Sequence, residues 1–407
     1  MRNHKSALLP AHLGLANAGV YYACAAIVVV LTFLGDQLGR PPYLSPVNVG
    51  NLLDQTALIA ILVIFTTIVL ISGNFDLSIG SVAALGAAVF LMTVPSLGLW
   101  GGLAVTMVVG AGIGLLNGVI VQLIGINAFI VTLGTMTLVR SLVLVLTDGR
   151  TITVSDERGM QALSALDGSA LPTPNLWWVA GAVLLVAGGI RAFSCRRRRA
   201  ALDRAVYFRL GSGAALALAS LFFSYSLQVT QQTVFLLILA LVAGGVLRYT
   251  TVGRRLYAVG GNAEAARLSG IAVSRYKIIA FVLNGTFAAF AGALYSARLG
   301  SINPTGLFGF ELTALAAAIL GGTSLFGGSG TIAKSLVGAL ILFTLRNGFN
   351  VLNLGANWQG LIEGAVLIVA AGIYTVSGRR QSRPPVLQTA PQQEQSRPPA
   401  RGTVETT

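Results

Sequence analysis

The chain has 407 residues, 55% of them apolar and only 10% charged, and its mean hydropathy is +0.78. So low a charge content excludes a soluble globular domain and places the chain in a bilayer. The net charge of +14 does not signal nucleic acid, because the basic residues sit in loops between apolar runs with no stacking aromatics among them. Cys24 and Cys195 show neither metal-ligand spacing nor a disulfide framework, and His4 and His12 both lie near the N-terminus, so no metal, cofactor or catalytic residue is expected.

Apolar runs of about 20 residues, the length needed to cross a bilayer as a helix, fall near 18–36, 52–72, 76–94, 98–122, 126–147, 176–192, 210–226, 232–248, 278–297, 309–322, 332–352 and 358–377. The expected fold is therefore an all-α polytopic bundle of about twelve segments. Arg2 and Lys5 precede the first run and no cleavage site follows it, which predicts a retained first helix and a cytoplasmic N-terminus. The run 76–94 is rich in Gly, Ser and Ala, and 309–322 is short, as interrupted helices are. Were 76–94 to dip in and return, Arg196 to Arg199 would lie outside. Were 309–322 to do so, Arg379, Arg380 and Arg383 would. Both are therefore expected to cross, with interruptions, and Arg191, Arg204, Arg209, Arg248, Arg254, Arg255, Arg267 and Arg275 then also face the cytoplasm.

This count makes residues 1–377 a transmembrane domain with an acidic periplasmic loop at 148–175, a basic cytoplasmic loop at 193–209 and a second cytoplasmic loop at 248–277. The Pro- and Gln-rich end, 378–407, reads as a disordered cytoplasmic tail. The RRRR run exceeds what topology needs and suits anionic lipid.

Phe75-Asp76-Leu77-Ser78, followed by SVAALGAAV, is echoed by Phe310-Glu311-Leu312-Thr313, followed by ALAAAILGG. Paired interrupted segments point to a transport path; a chance match in a chain this rich in small residues is the other reading. Asp54, Asp76, Arg140, Glu311, Arg346 and Glu363 are costly inside a membrane, so they either line a cavity or pair within the bundle. Neutral polar residues, among them Gln122, Thr135, Asn347 and Asn350, suit a polyhydroxylated solute or simply bond neighbouring helices. Asp76, Ser78, Asn117, Asn127, Thr132, Asn284 and Glu311 are the candidate path residues.

In the loop 248–277, Asn262 is placed to cap a short helix over Ala263, Glu264, Ala265, Ala266, Arg267 and Leu268, which Gly270 stops. Two turns are not stable alone. Ala265, Leu268 and Ile271 offer an apolar face to a partner's groove. In GGTSLFGGSG at 321–330, Gly321, Gly322, Gly327 and Gly328 predict close packing or a hinge. The adjoining GSGTIAKS, 328–335, lacks the last glycine and the preceding strand of a phosphate-binding loop, so no nucleotide site is expected there.

GNFDLSIGSVAALGA (73–87), GLLNGVIV (114–121), NAFIVTLGTM (127–136), YAVGGNAEAARLSGI (257–271), GGTSLFGG (321–328) and RNGFNVL (346–352) together resemble the permease subunits of bacterial binding-protein-dependent ABC importers for monosaccharides. The likeness runs to about Val376, and the added segment 160–226 is closer to the xylose-type members than to the ribose-type ones. The resemblance implies a homodimer in the inner membrane, a cytoplasmic ATP-binding cassette ATPase, a periplasmic sugar-binding protein, and no enzymatic activity in this chain. It also implies that Glu264, Ala265, Ala266 and Gly270 belong to a helix that docks on the ATPase. Lys334 departs from the family's small residue at that point. An ion-coupled secondary transporter and a permease for another small polar solute are the alternatives, and the sequence leaves the sugar open.

Overall fold

A computed structural model describes residues 15–168, 176–197, 201, 204–222, 230–353, 361 and 364–365. Arg2, Lys5, Arg198, Arg199, Glu363, the tail 378–407 and all but three positions of the last expected span, 358–377, lie outside the described residues. The described chain is helical. In order come α1 (Leu15–Gln37), α2 (Pro46–Ile71), α3 (Ile79–Val119), α4 (Ala128–Leu146), α5 (Glu157–Asp167), α6 (Leu176–Arg197), α7 (Arg204–Phe222) and α8 (Gln231–Tyr249). Then follow α9 (Thr251–Gly261), α10 (Ala263–Leu268), α11 (Val273–Leu299), α12 (Phe310–Leu320) and α13 (Ile332–Leu352). Two short strands, β1 (Ile152–Thr153) and β2 (Ser301–Ile302), pair antiparallel. Among the described residues, eight helices are long and apolar enough to cross a membrane.

The runs 76–94 and 98–122 are two arms of α3. At Gly98 the backbone leaves the helical region (φ 69°, ψ −176°) just after Pro95, and the chain folds back. Gly102 then packs on Phe90 and Val94, and Asn117 reaches Ser78. Both arms lie along α11. A Cβ on Gly292 would overlap the Ala83 carbonyl, one on Gly86 would strike the Ala289 backbone, and one on Gly114 would overlap the Phe281 carbonyl. The second arm carries Gly110, Gly114 and Gly118 at four-residue spacing, the small-residue pattern by which membrane helices approach closely.

The centre of the bundle is α2, with every residue from Thr56 to Ile71 buried. It shows no amphipathic stripe because it has no outer face. The α9–α10 arm sits at the N-terminal end of α11, the basic end. The β1–β2 ladder and α5 sit at the other end, where Arg158 donates to the Ser96 carbonyl at the α3 turn. The loop 148–175 contains a helix, α5, where its charge predicts only a loop. Asp156 caps the helix by accepting from Gly159 N at 2.8 Å, Gly168 ends it in the left-handed region, and its own Leu163 and Leu166 are buried.

The run 309–322 holds a short helix. Helix α12 has 11 residues and rises about 16 Å, half a hydrocarbon core, and a non-helical stretch leads into it from β2. Helices α6 and α7 extend into the basic loop 193–209 and form a hairpin in which Gly181 and Gly213 meet.

Replacing Gly292 with Leu is expected to cost about 3 kcal/mol or more, because backbone must move. Gly112, whose Cβ would meet nothing, is expected to tolerate Ala with a gain of up to about 1 kcal/mol in helix propensity. Thermal unfolding of the two detergent-solubilised variants beside the parent chain checks both.

Candidate functional site

Helix α2 ends deep in the protein. Gly73 takes a left-handed conformation (φ 80°), Gly73 N bonds Leu70 O and Asn74 N bonds Val69 O, so the last carbonyls are satisfied. The freed Ile71 carbonyl accepts from Gly328 N at 3.0 Å. From Asn74 to Ser78 the chain is non-helical, with Asn74, Asp76, Leu77 and Ser78 buried. Such backbone survives at membrane depth only where side chains and neighbouring loops replace the lost helical bonds.

Asp76 performs that replacement. Its Oδ1 accepts from Ser78 N at 2.9 Å and Ser78 Oγ at 2.6 Å, holding the first turn of α3, and its Oδ2 accepts from Asn284 Nδ2 of α11 at 2.9 Å. Ser78 Oγ in turn accepts from Asn117 Nδ2 at 3.0 Å, and Asn117 Oδ1 accepts from Thr135 Oγ1 of α4 at 2.6 Å. Five buried side chains from the unwound segment, the second arm of α3, α4 and α11 thus form one chain of hydrogen bonds. Four of them are candidate path residues. Asn284 Oδ1 has no partner.

The second interrupted segment arrives at the same depth. A Cβ on Gly80, in the first turn of α3, would overlap the Glu311 carboxylate at the start of α12. The two segments that echo each other in sequence therefore touch, and their helices leave in opposite directions, α3 toward the Gly98 turn and α12 toward the glycine loop. Glu311 Oε1 accepts from Arg140 of α4 at 3.3 Å and from Gly309 N, Oε2 is unpartnered, and the Arg140 guanidinium lies 4.0 Å from the Phe308 ring centroid. Among the described residues this is the one ion pair.

The remaining candidates lie elsewhere. Thr132 is buried but bonds its own helix at Ala128 O, and Asn127 is the exposed N-cap of α4, accepting from Phe129 N. Asp54 accepts from Thr230 N and Oγ1 at the start of α8, so this charge ties two helices. At the far end Gln232 donates to Asp167, whose carboxyl is pushed up by burial, with Arg298 lowering and Asp54 raising it.

At the basic end, Asn262 Oδ1 accepts from Ala265 N at 2.9 Å and Gly270 (φ 76°) closes α10, with Ile271 N bonded to Ala266 O. Ala266 is buried with Val259 and Val273, while Glu264, Ala265 and Arg267 are exposed and Leu268 is 85% exposed. The helix is therefore held by one face and offers the other. Gly260 presses on Ile71 O, Gly327 on Gly260 and Gly73, and Gly328 on Gly261, distances at which no Cβ fits. Tyr257 Oη donates to Gly330 O at 2.8 Å; burial pushes that hydroxyl up, Arg248 acting the other way. The α9–α10 arm, the loop 321–330 and the unwound segment are thus in direct backbone contact. Gly321 meets the backbone of Lys334 and Ser335, so the half-buried lysine side chain leaves that close packing intact.

Sequence reading passed over Gly80 and Phe308 and left Thr135 out of the site. The signal for Gly80 was a helix start facing a second acidic helix start, which has meaning only once the two segments meet.

A helical bundle with two interrupted segments meeting around a buried polar centre is the architecture of a membrane permease. Residues 48–371 match the model of the branched-chain amino acid transport system permease component family, and the chain belongs to that family. It is 36% identical to the xylose transport system permease protein XylH of Escherichia coli K12, over 89% of this chain and 93% of that one. It is 32% identical to the ribose import permease protein RbsC of Haemophilus influenzae, over 85% and 90%. No solved structure matches it.

Asp76→Leu strands the Asn284 amide and the Ser78 donors, each at about 1–3 kcal/mol, whereas Asp76→Asn is expected to be milder because Asn284 can turn its unpartnered Oδ1 to the new amide. Arg140→Leu leaves Glu311 buried and unpaired, a cost of about 3–5 kcal/mol that the double variant with Glu311→Leu should largely relieve. Unfolding midpoints of the four variants in one detergent check both.

Proposed function

We propose that this chain is the transmembrane permease of an ATP-driven importer, carrying a neutral monosaccharide of the pentose class, such as xylose, across the inner membrane. The observation that carries the reading is the buried chain from Asn284 through Asp76, Ser78 and Asn117 to Thr135. Its groups bond one another, and Asn284 Oδ1 is left to accept from a hydroxyl group. An amino-acid carboxylate would call for a cation in the path, and Arg140 is already engaged by Glu311. The names of the xylose and ribose relatives support the same cargo class.

In this reading two copies of the chain enclose the path. An ATP-binding cassette ATPase grips the exposed side of α10 in the cytoplasm, and hydrolysis takes place there, not in this chain. A periplasmic sugar-binding protein delivers cargo at the β1–β2 and α5 end, both chain termini being cytoplasmic. ATPase closure moves α10, and the glycine contacts among Gly73, Gly260, Gly327 and Gly328 carry that movement to the unwound segment. Asn127 and Thr132 take no part in the central chain and serve α4 itself.

Glu264→Arg and Gly270→Val, made singly, are expected to abolish both ATPase co-purification and sugar uptake while membrane insertion stays normal. Val at Gly270 is disfavoured by the left-handed backbone alone, by about 1–2 kcal/mol. Uptake that survives loss of the ATPase and collapses when the ion gradient is discharged would reassign the chain to the ion-coupled transporters.

A further inference from the structure

The α6–α7 hairpin leans on α8 through α6, and α13 packs on α8 beside it, with space left between them. A cavity of about 610 Å³ remains, walled by Val183 and Ile190 of α6, Leu237 and Leu241 of α8, and Leu336 of α13. Its floor is the pair Gly244 and Gly245, where an added Cβ would meet nothing within 4 Å. Two adjacent glycines inside a helix forgo about 1 kcal/mol each relative to alanine, and here no group among the described residues uses the space they leave. From Leu237 to Arg248 the slot follows α8 for about 16 Å.

One end of the slot is cationic. Arg209 of α7, Arg248 of α8 and Arg254 of α9 line it together with Tyr249 and Tyr257. Among the described residues no carboxylate lies within 4 Å of any of these arginines, since the only ion pair is Arg140–Glu311. Val183, Ile190, Leu237, Leu241 and Leu336 on its walls are each partly exposed, so the bundle does not seal the slot and its apolar wall is left for a bilayer to cover. A soluble anion would have no use for the long apolar slot, and a zwitterionic lipid would have none for three unpaired arginines. An anionic amphiphile uses both.

We propose that this slot binds one anionic phospholipid, with an acyl chain between α6 and α8 and the phosphate among Arg209, Arg248 and Arg254. The lipid ties the α6–α7 hairpin to α9, whose Tyr257 is bonded to the glycine loop and whose end leads into α10. The site stands whatever the cargo.

The test is native mass spectrometry of the full-length chain in mild detergent, with phosphatidylglycerol or phosphatidylcholine added. The parent chain should keep a bound phosphatidylglycerol in preference to phosphatidylcholine. Gly245→Leu, which fills the slot without touching backbone, should lose the adduct. The triple variant Arg209→Gln, Arg248→Gln, Arg254→Gln should lose the preference, with phosphatidylglycerol retention falling roughly tenfold or more. Equal retention of the two lipids by the parent, retention unchanged in Gly245→Leu, or displacement of the lipid by inorganic phosphate alone would each overturn the proposal. If the triple variant does not fold, Gly245→Leu alone decides, because its unfolding midpoint without lipid should not fall below the parent's.

Discussion

Inside a bilayer lipid tails are as apolar as leucine, so burial alone does not press one helix on another, and close backbone contact has to do so through dispersion and polar bonds. Here that contact is the line of glycines and alanines along which both arms of α3 meet α11. Because the backbones come so near, Asp76, Ser78, Asn117 and Asn284 are within hydrogen-bond reach of their partners without long side chains. Larger residues at Gly86, Gly110 or Gly292 would part the helices and leave four polar groups in an apolar medium.

The interrupted segments follow from the same economy of space. Non-helical backbone at this depth is tolerable because each freed group has an assigned partner. Gly73 turns the end of α2, Gly328 N takes the Ile71 carbonyl, and Asp76 takes the Ser78 amide. Those partners belong to distant parts of the chain, so a shift of the loop 321–330 or of α9 is felt at the unwound segment directly. Four residues separate Gly73, in the glycine cluster, from Ser78, in the polar centre. The short mechanical distance between the surface helix α10 and the middle of the bundle is what a transporter driven from one face requires.

Charge is used sparingly, and each intramembrane carboxylate with a described side chain is compensated by a specific group. Asp54 receives the start of α8, Asp76 receives three donors, and Glu311 receives Arg140, itself laid on Phe308. The unpartnered Asn284 Oδ1 and Glu311 Oε2 mark where the polar centre retains capacity for a further donor.

The local features were legible because they depend on residues a few positions apart. The cap at Asn262, the stop at Gly270, the lengths of α1, α2 and α13 and the interruption near Asp76 follow from spacing and composition, which short-range sterics and bilayer thickness translate into structure. Asp156 and Gly168 also announced α5 by the same rules, a signal overlooked in a loop read by its charge. Other matters required positions far apart in the chain to meet. That α3 doubles back at Gly98, that Glu311 lies against Gly80, that Thr135 completes the chain begun at Asn284 while Asn127 and Thr132 stand outside it, and that Gly244 and Gly245 face an empty slot were all decided by tertiary packing. A sequence carries periodicity and propensity, which are short-range quantities; which glycine receives a neighbouring backbone and which receives nothing depends on how distant helices cross.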